Sequence, residues 1–146
     1  MKTLPQIVFT LLFVIIAVSG CDKNERDHLI NTEEEIPKIK VSVHYVLNEK
    51  EFPDAYSGVY IFFEKKSENF IYWDYNGDGV FSNGKGFITP NKSLIVDSNG
   101  MATFELNDDE IKKDFMILVE SNNTKIYTLT YFDKYEKGVS LKAIFR

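Results

Sequence analysis

The chain has 146 residues, a formal net charge of −5 and a single cysteine. This length suffices for one domain with a modest core, and one cysteine cannot build a disulfide framework. The acidic balance argues against a nucleic-acid partner, which would need a basic surface. Aromatic residues make up 14% of the chain, with 12 Phe and 8 Tyr, and this enrichment favours β-strands over disorder.

The N-terminus predicts a secretory signal that ends in a lipid anchor. Lys2 precedes an uncharged apolar run over residues 4–18, which is shorter than the about 20 residues of a membrane-spanning helix. The run ends in Val18-Ser19-Gly20-Cys21, which resembles the lipobox of bacterial lipoprotein precursors. The resemblance implies that residues 1–20 are removed and that Cys21 is acylated, for example with palmitate. The alternatives are an ordinary cleaved signal and an uncleaved anchor.

Residues 21–37 predict an acidic, flexible tether that lifts the domain off the membrane, because like charges extend a chain. Asp22 directly after the cysteine resembles the inner-membrane retention signal of enterobacteria. The stretch Asp22-Lys23-Asn24-Glu25 resembles in part the surface-export signal of bacteroidete-type lipoproteins. Which sorting code applies depends on the host. The sequence favours the outer membrane, on its surface or its periplasmic face, over the inner membrane.

Residues 38–146 predict an all-β domain, because short apolar runs alternate with turn residues at roughly ten-residue spacing. Two hairpin turns are expected, at residues 98–100 and 121–124. Roughly seven to eight strands are predicted, in a single antiparallel β-sandwich of the prealbumin-like or immunoglobulin-like kind. In chain order, the apolar runs span residues 39–47, 59–65, 70–75, 87–90 (an edge segment), 93–97, 101–106, 115–120, 125–132 and 139–145.

One stretch resembles a known family. Residues 97–106, Asp-Ser-Asn-Gly-Met-Ala-Thr-Phe-Glu-Leu, are similar to the D-x-x-G-x-A-x-F-x-L hairpin of prealbumin-like domains, the carboxypeptidase-regulatory-like β-sandwiches of bacterial envelope lipoproteins. Residues 115–119 stand where that pattern places the next strand, although Asp114 replaces its usual glycine, and residues 57–62 resemble an upstream strand of such domains. The resemblance covers residues 39–132 and implies an accessory, non-catalytic domain.

Residues 74–79, Asp-Tyr-Asn-Gly-Asp-Gly, match the start of a calcium-binding loop. The predicted oxygen ligands are Asp74, Asn76, Asp78, the Val80 carbonyl and a water under Ser82. Lys85 stands where an EF-hand has its bidentate Glu, so an acid from elsewhere, such as Asp54 or Asp108, would have to complete the site. The alternative is an ordinary turn, in which Asn, Gly and Asp supply left-handed backbone.

Strand alternation predicts an aromatic patch. If Val59 and Ile61 face the core, the side chains of opposite parity on two adjacent strands face away from it. These side chains are Tyr60, Phe62, Phe70 and Tyr72. A flat aromatic platform suits the apolar faces of sugars, and exposed apolar patches mark binding surfaces. The alternatives are burial of the patch beneath residues 48–57 or 76–90, and a sheet that is covered on both sides.

No catalytic constellation is legible in the sequence. The two histidines, His28 and His44, are isolated, and the only thiol belongs to the predicted anchor. We therefore predict a lipid-anchored envelope protein that is a non-enzymatic binding or adaptor module for a glycan or for an envelope or host protein. The alternative is a structural subunit or stabilising component of an envelope assembly. The predicted partners are the membrane, through the lipid, and that ligand; calcium is the one candidate cofactor.

Overall fold

The computed structural model describes residues 35–146, so Cys21, the predicted signal and most of the predicted tether lie outside the described residues. Within them the chain is all-β, as predicted, with two four-stranded sheets and one small three-stranded sheet. The strands are β1 (Lys38–Leu47), β2 (Lys50–Pro53), β3 (Gly58–Phe63), β4 (Asp74–Tyr75), β5 (Phe81–Ser82), β6 (Phe87–Ile88), β7 (Lys92–Ile95), β8 (Met101–Glu105), β9 (Phe115–Glu120), β10 (Tyr127–Phe132) and β11 (Ser140–Phe145). Two 3₁₀ turns, Ser67–Phe70 and Glu110–Lys112, complete the described elements.

The first sheet is organised around β1. Strand β11 pairs in parallel with one edge of β1, whereas β8 and then β2 pair antiparallel with the other edge. The turn from β1 to β2 consists of Asn48 and Glu49, which both have positive φ, at 49° and 63°. Such a backbone is typical of the two-residue hairpin turn whose twist matches that of its strands.

The second sheet is antiparallel and has the order β10-β9-β3-β7. Its two central strands read Gly-Val-Tyr-Ile-Phe-Phe and Phe-Met-Ile-Leu-Val-Glu, with apolar residues on both parities. Every residue of β3 is buried, as are the first five of β9. Continuous apolar runs of this kind belong to strands that are covered on both faces, because alternate side chains point to opposite sides of a sheet.

The main core lies between the two four-stranded sheets, which together contain the number of strands predicted for the sandwich. Strand β1 contributes alternate residues, as its pattern predicts, and β3 and β9 contribute one parity each. The parallel β1–β11 pair is a departure from the purely antiparallel arrangement that was expected. The central residues of this core are Ile39, Val41, Val43, Val59, Ile61, Phe63, Phe115, Ile117 and Val119.

A fully buried carboxylate fastens two turns to each other. Asp54 accepts a hydrogen bond from the Ser121 hydroxyl on Oδ2. On Oδ1 it accepts the Asn123 backbone N–H at 3.2 Å and the Asn123 side-chain amide at 2.7 Å. These bonds offset the cost of burying the charge. Because both oxygens are engaged by residues 121–123, Asp54 has a structural role here and does not complete a site in the 74–79 loop.

We predict that Asp54→Ala lowers the free energy of unfolding by about 3 kcal/mol, since it leaves buried donors without an acceptor. Urea denaturation of the soluble domain measures this. Asp108→Ala is the matched control, because that carboxylate is exposed, and its effect should stay within about 0.5 kcal/mol. Equal midpoints and equal slopes for the two variants would contradict the role assigned to Asp54.

Candidate functional site

Residues 64–91, here called the insertion, connect β3 to β7. These two strands are antiparallel neighbours, so a loop of about two to five residues would join them. The chain instead passes through a 3₁₀ turn and the three strands β4, β5 and β6 before it returns. The connection is long enough to form a small layer of its own, and it contains most of the site residues that the sequence predicts.

The inner face of the insertion packs on the face of the second sheet that points away from the main core. Phe70 and Phe81 from the insertion meet Phe62 of β3, with ring centroids 5.3 Å apart for Phe62–Phe70 and 4.7 Å for Phe70–Phe81. Both pairs are edge-to-face, the favoured arrangement of aromatic rings. The cluster comprises Tyr60, Phe62, Phe70, Phe81, Met116 and Leu118, with Trp73, Tyr75, Ile88 and Leu129 packed against it.

The predicted aromatic patch is therefore not an exposed surface. Tyr60 and Phe62 are only 5% and 1% exposed because the insertion covers them, and Phe70 of the insertion is 6% exposed because it packs against them, whereas Tyr72 is 87% exposed. The alternative of burial beneath residues 76–90 is the one that the structure supports. The parity assigned to Tyr60 and Phe62 is correct, since both point away from the sandwich core. Phe70 was wrongly placed in a strand, because it ends a 3₁₀ turn.

Tyr60 lies under a tight cover. A side chain at Gly79, in the insertion, would collide with its ring, so a glycine there lets the insertion approach the sheet. A side chain at Gly58, two residues earlier on β3, would collide with the same ring. Burial raises the pKa of Tyr60 to about 12, and the nearby charges of Glu120 and Asp78 act in the same direction. Its hydroxyl is therefore neutral at neutral pH and belongs to the packed layer.

We predict that Tyr60→Ala lowers the free energy of unfolding by about 3 to 5 kcal/mol, because it opens a cavity beneath the insertion. Tyr72→Ala is the control, since that ring is exposed, and it should change stability by no more than about 0.5 kcal/mol. Thermal and urea unfolding of both variants measure the difference. If Tyr60→Ala left the free energy of unfolding unchanged, the insertion would not cover the sheet.

Tyr75 anchors the insertion to the second sheet. Its hydroxyl donates to Oε2 of Glu120 at 2.5 Å and accepts the Gly79 backbone N–H at 3.1 Å. Its ring packs against Tyr127 of β10, with centroids 4.4 Å apart. Burial, together with the hydrogen bond to Glu120, raises the pKa of Tyr75 above its usual range. The hydroxyl therefore remains a donor to the carboxylate at physiological pH.

The predicted calcium ligands lie in the β4–β5 hairpin of the insertion, where Asp74 and Asp78 are exposed. Residues 77–79 all have positive φ, which is the left-handed backbone expected of the turn. The Asn76 backbone N–H donates to the Val80 carbonyl at 2.9 Å, and the Asn76 side-chain amide donates to the Ser82 hydroxyl at 2.8 Å. The hairpin is thus closed by its own hydrogen bonds.

Among residues 35–146, no group of three or more His, Cys, Asp or Glu side chains lies close enough together to hold a metal ion. The turn interpretation accounts for the composition of residues 74–79 without an ion. The predicted ligands share one hairpin, but the Val80 carbonyl and the Ser82 hydroxyl already accept hydrogen bonds from Asn76. Calcium binding stays a prediction of the sequence.

The outer face of the small sheet combines an aromatic ring with polar groups. Asp74 is the cross-strand partner of Ser82, and Ser82 is the partner of Phe87, so the three side chains share one face of the sheet. The opposite face carries Tyr75 and Phe81, which are directed into the domain. Phe87 is 74% exposed. Sequence reasoning did not select Phe87 as a site residue, because a two-residue strand gives almost no periodic signal.

A depression of about 960 Å³ lies beside the start of β1. Two of its three lysines are paired, Lys38 with Glu105 at 3.2 Å and Lys137 with Glu35 at 2.8 Å, whereas Lys40 has no ion pair within residues 35–146. With Glu105 included, three carboxylates balance the three lysines, so no single sign of charge would select a ligand. The outer face of the insertion is therefore the stronger candidate site.

Comparison with protein-family models, with characterised proteins and with solved structures finds no match for this chain. The resemblance to prealbumin-like domains thus remains a prediction. Within the part of the chain that the structure describes, no helix is long and apolar enough to cross a membrane.

Proposed function

We propose that the protein is a lipid-anchored, non-enzymatic binding module of the cell envelope. The anchoring part of the proposal is supported by the lipobox-like residues 18–21 at the end of an uncharged apolar run. The binding part is supported by the outer face of the insertion. The proposed location is the outer membrane, on its surface or its periplasmic face.

The alignment of Phe87, Ser82 and Asp74 across three strands is the observation that carries the binding proposal. An exposed ring can pack against the C–H face of a sugar, while the neighbouring hydroxyl and carboxylate can hydrogen-bond its hydroxyl groups. Phe87 is 74% exposed, so its ring is free to make such a contact. A glycan is therefore the preferred ligand, and a protein segment is the other class.

The same face is held rigidly, which favours recognition over a structural loop. Tyr75 of β4 and Phe81 of β5 lie on the inner side of the small sheet. They are fixed there by contacts with Glu120 and with the aromatic cluster that contains Phe62. A surface that is ordered before binding loses little conformational entropy on association. We infer that the small sheet presents a preformed platform.

The second candidate function is a structural subunit or stabilising component of an envelope assembly. The free edge of β10 favours it, because unpaired edge strands are where separate chains join into larger sheets. This function and ligand binding use different surfaces of the domain and do not exclude each other.

We expect Cys21→Ser in the full-length chain to abolish incorporation of a labelled fatty acid and to move the protein from the membrane fraction to the soluble fraction. The physical reason is that stable anchoring requires acyl chains, each buried methylene contributing about 0.8 kcal/mol. Ser19→Ala, which keeps the cysteine and a small residue before it, is the control and should remain with the membrane. Unchanged fractionation of Cys21→Ser would refute the lipid anchor.

We expect Phe87→Ala to weaken binding to glycans identified on a glycan array by about tenfold, which corresponds to ~1.4 kcal/mol. Tyr56→Ala is the control, because Tyr56 is an exposed aromatic residue outside the insertion, at 67% exposure. Calorimetry with the soluble domain measures both variants. Equal affinities for Phe87→Ala and the unmodified domain would remove this face from consideration, and no binding to any glycan would leave the protein-segment class.

A further inference from the structure

Strand β10 is a free edge of the second sheet, because its one pairing partner among residues 35–146 is β9. Its sequence, Tyr-Thr-Leu-Thr-Tyr-Phe, contains no charge and no proline. Three other edge strands of the described domain carry features that discourage pairing: β7 begins at Lys92 just after Pro90, β2 is short and ends at Pro53, and β11 contains the charged Lys142. A long uncharged edge is a template for pairing with another strand.

The backbone of β10 directs hydrogen-bonding groups to its open side. The Ser121 N–H donates to the Ile126 carbonyl at 2.8 Å, so the groups of Ile126 point towards β9. In an antiparallel ladder this direction alternates from residue to residue. The N–H and C=O groups of Tyr127, Leu129 and Tyr131 therefore point outward, and no backbone hydrogen bond within the described domain uses them.

The sequence around β10 is complementary to itself. Residues 125–133 read Lys-Ile-Tyr-Thr-Leu-Thr-Tyr-Phe-Asp, which is symmetric in character about Leu129. The strand residues that would oppose each other in two antiparallel copies are Leu129 with Leu129, Thr128 with Thr130, and Tyr127 with Tyr131. Ile126 and Phe132 continue the pattern, and Lys125 and Asp133 flank the two ends. Aromatic, Thr–Thr and opposite-charge pairs each stabilise a sheet by roughly 0.2–1 kcal/mol.

We propose that two copies of this chain form a symmetric dimer by antiparallel β10–β10 pairing centred on Leu129. In this register the outward groups of Tyr127, Leu129 and Tyr131 face each other, giving about six hydrogen bonds between the chains. A shift by one residue would oppose outward groups to groups already bonded to β9. The contact is isologous, so it closes as a dimer and leaves no end for further growth.

Two observations favour a second copy as the partner: the charges at the two ends of β10, and the side chains of β10 that are already held in place. Lys125 and Asp133 are both exposed and flank the two ends of β10. Lys125 has left-handed backbone outside the strand, and the two-fold axis places it at the same end of the contact as Asp133 of the other chain. Tyr127 and Tyr131 are already held, by the Tyr75 ring and by a 3.0 Å hydrogen bond to Asp114. An open groove of about 320 Å³ lies between β10 and β11 and leaves the strand accessible.

Cysteine cross-linking tests the dimer and its register in the chain from Asp22 onward, which keeps the described domain and lacks the native cysteine. Leu129→Cys should form a disulfide-linked dimer, because opposed residues are about 5.5 Å apart between Cα atoms, within the disulfide range. Tyr127→Cys alone and Tyr131→Cys alone should not, since each copy lies about 14 Å along the strand from its equivalent. A mixture of the two should cross-link.

Sedimentation equilibrium tests the same contact without a cross-link. The dimer should form as concentration rises, and Lys125→Asp should raise its dissociation constant about fivefold because it opposes two like charges in each half of the contact. The double variant Lys125→Asp/Asp133→Lys should restore affinity, and Lys134→Glu, one residue beyond the contact, should not change it. Circular dichroism checks that each variant is folded.

Two results would overturn the proposal. One is a monomer at every concentration up to millimolar together with no cross-link in any variant. The other is a Tyr127→Cys chain that links to itself as readily as to the Tyr131→Cys chain, because this would mean a different register or random collision.

Discussion

The double burial of β3 and β9 is the constraint on which the rest of the domain depends. Val59 and Ile61 face the main core, while their neighbours Tyr60 and Phe62 face the other way and are equally buried. Apolar surface costs roughly 25 cal/mol per Å² when it is left in water. Two sheets alone would bury one face of these strands, so a third layer is required. The insertion provides that layer, and its length follows from this need.

The three short strands of the insertion serve both the packing of the domain and the proposed ligand surface. Their inward parity, Tyr75, Phe81 and Ile88, belongs to the second aromatic cluster, whereas their outward parity presents Phe87 with two polar partners. Because adjacent residues on one strand serve the two faces, the proposed ligand surface cannot move without disturbing the packing beneath it. A substitution in the packing beneath this surface is therefore expected to affect ligand binding only indirectly, through the stability of the insertion.

Local patterns predicted what local interactions decide. The alternation over residues 39–43 placed the correct parity of β1 in the core, and residues 98–100 form the predicted turn, closed by the Asp97 N–H to the Met101 carbonyl at 2.9 Å. This turn is not the expected hairpin, because β7 pairs in the second sheet and β8 in the first. The burial of Tyr60 depends on a layer supplied by residues distant in sequence, which strand parity cannot reveal. The parallel pairing of β1 with β11 is likewise a long-range choice. Phe87 escaped notice because a two-residue strand gives almost no periodic signal.

The proposed ligand face and the proposed dimer edge are linked by direct side-chain contacts. Tyr127 of β10 packs against Tyr75, whose hydroxyl is bonded to Glu120 of the adjacent strand. Pairing of two β10 edges would thus continue the second sheet from one copy to the other and repeat the ligand face about a two-fold axis. Two weak sites on one rigid body bind a repeating glycan far more tightly than either alone. Lipid anchoring would favour the same dimer, because confinement to a membrane raises the effective concentration of the edges.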